Sequence, residues 1–174
     1  EQTMINILLL DDEPNILSAV QRLLRQEEAW KLHAFSDPQE ALDALAAHEY
    51  AVIVSDYQVP GLDGVTFLQF AKQSQPHAVR MILSAYGDRD SMMHAINKAE
   101  IYRFLPKPWD DHELRAALRS AIDLYQLREE NQRLLAQVRQ QQQELLRLEA
   151  EHPGLTRVRR DADGAVLLED GDGE

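Results

Sequence analysis

The 174-residue sequence contains no cysteine, which excludes a disulfide framework and thiolate chemistry. No apolar run approaches the roughly 20 residues that a membrane-spanning helix needs, and no signal peptide precedes the first apolar segment, so we expect a cytoplasmic protein. Basic residues are scarce: 18 lysines and arginines stand against 30 aspartates and glutamates, for a net charge of −12. Because nucleic-acid binding needs a basic surface, we expect no direct nucleic-acid binding and no membrane partner.

The sequence does have an alternation of short apolar segments with segments of helical periodicity, repeated five times by residue 122. The third apolar segment, residues 51–54, is β-branched and non-alternating, which is typical of a strand buried on both faces of a parallel sheet. A loop should follow it, marked by Pro60, Gly61 and Gly64. This rhythm predicts an α/β fold with a doubly wound five-stranded parallel sheet and right-handed crossovers.

Charged and polar residues stand where the predicted strands end. They are Asp11 and Asp12 after the first strand, Asp56 after the third, Ser84 after the fourth and Lys107 after the fifth. Because the carboxyl ends of parallel strands form one crevice, we expect these side chains to lie close together. Clustered carboxylates raise one another's pKa and call for a hard cation with oxygen ligands, which suits Mg²⁺. A lysine and a hydroxyl suit phosphoryl oxygens, so the set predicts phosphoryl transfer to a carboxylate nucleophile.

The same residues lie in four short motifs, namely Leu10-Asp11-Asp12-Glu13, Ser55-Asp56-Tyr57-Gln58-Val59-Pro60, Leu83-Ser84-Ala85-Tyr86 and Lys107-Pro108. With these motifs in order at strand ends, residues 4–123 resemble the response-regulator receiver domain of two-component signal transduction. The resemblance implies a flavodoxin-like sheet with strand order 2-1-3-4-5. It also implies a phospho-acceptor switch that promotes its own phosphorylation, and not an enzyme.

The resemblance further implies roles for the acidic residues. Asp56 would be the phosphoacceptor for a sensor histidine kinase. Mg²⁺ would be bound by Asp12 and Asp56, by Asp11 largely through water, and by the backbone carbonyl of Gln58.

The remaining site residues would sense the phosphoryl group. Lys107 would pair with its oxygens and precede a cis bond to Pro108, and Ser84 would turn its hydroxyl toward it. Phe104 occupies the aromatic switch position, where tyrosine is frequent, so its ring lacks a hydroxyl. Pro106 removes an amide from the last strand, which is tolerable if that strand is a sheet edge.

Beyond the domain expected at residues 1–123, a mostly apolar set of residues continues at spacings of three and four. The seam comprises Leu124, Leu127, Asn131, Leu134, Val138, Gln141, Leu145 and Leu148. It predicts a coiled-coil helix over residues 124–151, continuous with the last receiver helix and dimerising through residues 124–148, with parallel chains because of the asparagine. A single helix folding back on its own receiver is the alternative. Pro153-Gly154 should end the helix, and we expect residues 152–174 to be a tail with a possible short hairpin followed by disorder.

Two other functions compete with the switch. An aspartyl-phosphate hydrolase usually carries a second acid two residues after the nucleophile, where this chain has Gln58. A stand-alone adaptor would regulate a separate protein, because no output-domain signature follows the receiver. A DNA-binding zipper is rejected, since acidic residues are interspersed in the segment before the seam. The output, whether transcription, phosphodiesterase activity or adaptor function, is left open.

Overall fold

The computed structural model describes residues 3–85, 97–154 and 164. The strands in chain order are β1 (Ile5–Leu10), β2 (Trp30–Phe35), β3 (Val52–Asp56), β4 (Gln58–Val59), β5 (Leu62–Asp63), β6 (Val79–Ala85) and β7 (Arg103–Lys107). The helices are α1 (Pro14–Leu24), α2 (Pro38–Ala47), α3 (Gly64–Ser74) and α4 (Asp111–Glu151). Residues 97–99 are also helical, whereas most of the helix predicted around Met92 to Ala99 lies outside the described residues.

Five of the strands form one parallel sheet in the order β2-β1-β3-β6-β7. Counted along the chain without the two-residue strands, this is the order 2-1-3-4-5. The predicted doubly wound, flavodoxin-like fold is therefore confirmed.

The core lies on both faces of this sheet, as the non-alternating third strand predicts. Successive residues of β1 point to opposite faces. Ile7 and Leu9 pack with α1 and the first turns of α4, whereas Leu8 and Leu10 pack with α2 and α3. All five residues of β3 are buried, which explains why that strand contains no polar residue before Ser55.

Local signals fix the starts of several helices. Pro14 and Pro38 are the first residues of α1 and α2, where a missing amide costs no hydrogen bond. Asp37 followed by Pro38 is typical of a helix start, and the Asp37 carboxylate caps α2 by accepting a hydrogen bond from the Gln39 amide at 3.1 Å. Asp63 caps α3 in the same way through the Val65 amide, at 3.2 Å.

Two boundaries differ from the sequence prediction. The predicted loop after Asp56 contains a small antiparallel pair, β4 with β5, whose turn holds Gly61 at a φ of 92°. The apolar run from Ile101 to Leu105 predicts a strand at those residues, whereas the last strand in the structure is Arg103–Lys107 and includes Pro106. Because β7 is an edge strand that pairs only with β6, it accommodates a residue without an amide.

The chain divides into two compact units, Glu1–Glu130 and Asn131–Glu174. Helix α4 continues through the glutamine-rich residues 140–143 and ends before Pro153. In the described residues no helix is long and apolar enough to cross a membrane. The hairpin and disorder expected in the tail fall on residues 155–174, of which the structure describes only Gly164.

Candidate functional site

The residues that the sequence places at the ends of the predicted strands lie together at the carboxyl ends of the parallel strands. Asp11 directly follows β1, Asp56 is the last residue of β3, and Lys107 is the last residue of β7. Ser84 is the penultimate residue of β6, in register with Pro106 of the neighbouring strand. Four separate strands thus each place one of these side chains at or next to their carboxyl end, on the same side of the sheet.

The ammonium group of Lys107 lies between two of the carboxylates. Its Nζ atom is 2.6 Å from Asp11 Oδ2 and 3.2 Å from Asp56 Oδ1. A third oxygen, Glu13 Oε1, is 3.6 Å away. Asp11 is fully buried and the Lys107 side chain is only 11% exposed, so these charges interact with little screening by water.

Asp11, Asp12 and Asp56 form a group that could hold a metal ion, since each offers a carboxylate oxygen and these oxygens lie within 4.8 Å of one another. Asp11 Oδ1 accepts a hydrogen bond from the Glu13 amide at 2.9 Å. Asp11 Oδ2 is buried and has no contact with a donor other than the Lys107 ammonium among the described residues. One ammonium cannot balance three carboxylates, and this all-oxygen set fits Mg²⁺.

The pKa shifts have the directions expected of crowded carboxylates. Burial raises the pKa of Asp11, and the Lys107 and Glu13 amide contacts only partly offset it. Burial also raises the pKa of Asp56, reinforced by the negative charge of Asp11. Burial acts to lower the pKa of Lys107, but the hydrogen bond and charge of Asp11, together with Asp56, leave that pKa raised. A further cation near the two aspartates would stabilise their ionised forms.

Three neighbours of this site, although present in the loop and motifs named above, have no site role predicted from the sequence. The hydroxyl of Ser55, which is fully buried, donates a hydrogen bond to the Asp56 carbonyl at 2.9 Å. The backbone of Gly64 lies so close to that carbonyl that a Cβ atom would collide with its oxygen. Glu13 contacts both Asp11 and Lys107. Of the three, only Gly64 gives a signal in the sequence, and that signal predicts a loop and not a close approach to the Asp56 carbonyl.

The other predicted site residues flank this group. Gln58 is exposed in β4, two residues beyond Asp56, and is in register with Asp63. Ser84 is 4% exposed, and Phe104 in β7 packs half-buried against the core on the α2 and α3 side. The Lys107–Pro108 bond is cis. The roles of Gln58, Ser84 and Phe104 in binding or switching stay predictions.

Known proteins resemble this chain in both sequence and fold. The family model of the response regulator receiver domain matches residues 7–119. The hydrogenase transcriptional regulatory protein HoxA of Bradyrhizobium diazoefficiens is 32% identical over 127 residues, which cover 72% of this chain and 26% of that protein. The DNA-binding transcriptional regulator NtrC of Escherichia coli is 32% identical over 120 residues, which cover 69% of this chain and 25% of that protein.

A solved structure supports the same assignment. The signal receiver domain of an HD domain-containing protein from Pseudomonas fluorescens is 37% identical, with a TM-score of 0.70 over 75% of this chain and 95% of that one. The chain spans about a quarter of the length of HoxA and NtrC. With the acidic group, the lysine and the strand order all in place, the chain belongs to the response regulator receiver domain family.

Proposed function

We propose that this chain is a phospho-acceptor switch in which a sensor histidine kinase phosphorylates Asp56. The observation that carries the proposal is the position of the Lys107 ammonium, within 3.2 Å of both Asp11 and Asp56 at the mouth of a group of three carboxylates. A lone buried ion pair would need only one acid. A site with spare carboxylate oxygens and one cation suits a divalent metal and an incoming phosphoryl group.

Each residue would have a defined part in the transfer. An oxygen of Asp56 forms a bond to phosphorus, while the bond from phosphorus to the imidazole nitrogen of the kinase breaks and that nitrogen keeps the electron pair. Mg²⁺, when bound by Asp11, Asp12, Asp56 and the Gln58 carbonyl, would neutralise charge on the phosphoryl oxygens. Lys107 would exchange its contact with Asp56 for one with a phosphoryl oxygen.

The switch would follow from the same exchange. The hydroxyl of Ser84, at the end of β6, would donate a hydrogen bond to a phosphoryl oxygen. The half-buried ring of Phe104 would then repack on the neighbouring strand. The chain itself would act as a regulatory switch and not as an enzyme, and we place it in the cytoplasm, where its kinase would act.

The helical extension would provide a dimer. Several seam residues of α4 are apolar and exposed: Leu127 (57%), Leu134 (48%), Val138 (48%) and Leu145 (53%). A second copy of this chain would bury them in a parallel coiled coil over residues 124–148, where paired Asn131 side chains would fix the register. In this proposal the receiver covers residues 1–123, the coiled-coil helix residues 124–151 and a tail residues 152–174.

The output of the switch would lie in a separate domain or partner. HoxA and NtrC are named as transcriptional regulators, and the Pseudomonas fluorescens receiver comes from an HD domain-containing protein. The dimeric helix would pass a change in the receiver to such a domain, or to an effector if the chain acts as an adaptor.

Binding of a phosphoryl mimic tests the proposal. With Mg²⁺, beryllofluoride should shift the amide resonances of residues around Asp56, Ser84 and Phe104, and EDTA should reverse the shifts. Asp56→Asn should abolish the response, whereas Asp43→Asn, the same change on the exposed surface of α2, should not. Unchanged spectra in the wild-type protein would reject the phospho-acceptor assignment.

A further inference from the structure

A second charged cluster lies at the amino-terminal ends of the strands, opposite the carboxyl ends that carry Asp56. Arg80 is the second residue of β6, and Tyr102 immediately precedes β7. Asp56 is in register with Leu83, toward the other end of β6. Because β6 and β7 are parallel, their amino-terminal ends lie on the same side of the sheet, away from the acidic site at the carboxyl ends.

Arg80 is held in place by backbone groups. Its side chain is 1% exposed, Nε donates to the Ala99 carbonyl at 2.7 Å, and Nη1 donates to the Ala78 carbonyl at 2.8 Å. The contact from Nη2 to the Glu100 carbonyl is longer, at 3.5 Å. These carbonyls fix the orientation of the guanidinium without neutralising its charge.

The charges around Arg80 leave an excess of positive charge. Glu100 Oε1 lies 3.0 Å from Lys72 Nζ, and Glu100 Oε2 lies 3.7 Å from Arg80 Nη2. Burial lowers the pKa of Arg80, as does the charge of Arg128, and Glu100 opposes them only in part. Arg128 itself makes a long hydrogen bond to the His77 carbonyl, at 3.4 Å. Among the described residues of this cluster, the single exposed carboxylate of Glu100 therefore faces three cations, Lys72, Arg80 and Arg128.

A cavity of about 390 Å³ opens on this cluster. Its lining comprises Val79, Arg80, Asn97, Glu100, Ile101, Tyr102 and Arg128. Two guanidinium groups, an amide and a phenol offer donors, and Glu100 is the only carboxylate among these residues. The volume lies within the range of small-molecule sites, roughly 300 to 1,000 Å³.

We propose that this cavity binds a small phosphate-bearing anion, either free phosphate or a phosphomonoester, between Arg80 and Arg128. The fork of a guanidinium matches two oxygens of a phosphate group, and the excess of cations in an otherwise acidic chain favours an anion at this place. The ligand replaces Glu100 at Arg80, where the contact is long, while Lys72 keeps Glu100 through the shorter contact.

The ligand would also link two elements of the receiver. Arg80 belongs to β6, whose far end carries Ser84, and Arg128 belongs to α4. An anion shared by the two arginines would add a charged contact between this strand and the helix. The proposal does not depend on phosphorylation of Asp56, because the two sites lie at opposite ends of the strands.

Calorimetric titration of the purified chain in EDTA tests this inference, with inorganic phosphate and adenosine monophosphate as probes. We expect saturable binding that Arg128→Gln weakens by at least about tenfold, since a charge-assisted contact is lost. Glu100→Gln should tighten binding, because it removes the resident anion. Arg139→Gln, which makes the same charge change on an exposed turn of α4, should bind as the wild type does.

The outcomes separate this site from the acidic one. Tighter binding of adenosine monophosphate would identify a phosphomonoester as the ligand, and equal or weaker binding would identify free phosphate. Binding that persists in Asp56→Asn supports the cavity. Absence of saturable binding, equal binding by Arg128→Gln, weaker binding by Glu100→Gln, or loss of binding in Asp56→Asn would each overturn the proposal.

Discussion

Replacing Lys107 with methionine removes the one ammonium group that lies between Asp11 and Asp56, with little change in side-chain length. The group is 2.6 Å from Asp11 Oδ2 and 3.2 Å from Asp56 Oδ1, and both acids are almost completely buried. Loss of one partner from a buried ion pair typically costs about 3–5 kcal/mol, because the remaining charge is left without compensation. Since the site opens to solvent at Asp12, we expect the lower end, about 3 kcal/mol, in EDTA at neutral pH.

The loss of unfolding free energy caused by Lys107→Met should depend on pH in a definite direction. Both aspartates already have pKa values above 3.8 in the folded wild-type protein, and loss of the ammonium raises them further. An acid whose pKa is raised by folding contributes stability at pH values below its unfolded-state pKa. That contribution is lost as the pH rises through its folded-state pKa. The deficit of Lys107→Met should therefore shrink as the pH is lowered toward 4. Added Mg²⁺ should restore about 2.7 kcal/mol when its free concentration is about 100 times its dissociation constant.

Urea unfolding of wild type and variant, followed by circular dichroism, measures these differences. Lys72→Met is the matched control, because it breaks an ion pair of 3.0 Å whose partners are 35% and 63% exposed. Such exposed pairs contribute about 0–1 kcal/mol. The reasoning is refuted if Lys107→Met is as stable as the wild type in EDTA at neutral pH, or if one fixed Mg²⁺ concentration stabilises it no more than it stabilises Lys72→Met.

Three further predictions concern other parts of the chain. Gly64→Ala should lower the free energy of unfolding by about 1–3 kcal/mol in urea, because its Cβ atom would collide with the Asp56 carbonyl oxygen. Burial lowers the pKa of His33 below 6.5. The stability that this histidine contributes to the folded state is therefore present above pH 6.5 and is lost as the pH falls through its folded-state pKa. In His33→Gln the free energy of unfolding should fall less steeply as the pH is lowered below 6.5. A fall as steep as in the wild type would contradict this. Asn131→Val should strengthen self-association in sedimentation equilibrium, whereas a monomeric wild type at micromolar concentration would end the coiled-coil proposal.

The sequence predicts the parallel sheet and the meeting of Asp11, Asp56 and Lys107 because both follow from short-range patterns, whereas the strand order comes only from the resemblance to receiver domains. An apolar run followed by a charged residue marks a strand end, and the parallel topology then brings those ends together. Pro106 is compatible with the last strand only if that strand lies at a sheet edge, and β7 does lie there. These inferences need no knowledge of which atoms touch.

Other features depend on contacts between distant segments and leave no such pattern. Arg80 lies within an apolar run, and its burial is explained by carbonyls that accept from its guanidinium, those of Ala78 nearby and of Ala99 and Glu100 from a more distant segment. The pair of β4 and β5 has two residues per strand, too few to show a periodicity. The contact of Glu13 with Lys107 depends on how the chain turns after β1, which the motif alone does not define.

The most direct test of the central claim is the intact mass of the protein after incubation with a small phosphodonor. With Mg²⁺, we predict that the wild type gains one phosphoryl group, that EDTA prevents the gain, and that Asp56→Asn gains none. Asp12→Asn should retain Asp56 but react poorly, because it removes one of the proposed metal ligands. Full modification of Asp56→Asn, or no modification of the wild type, would contradict the account.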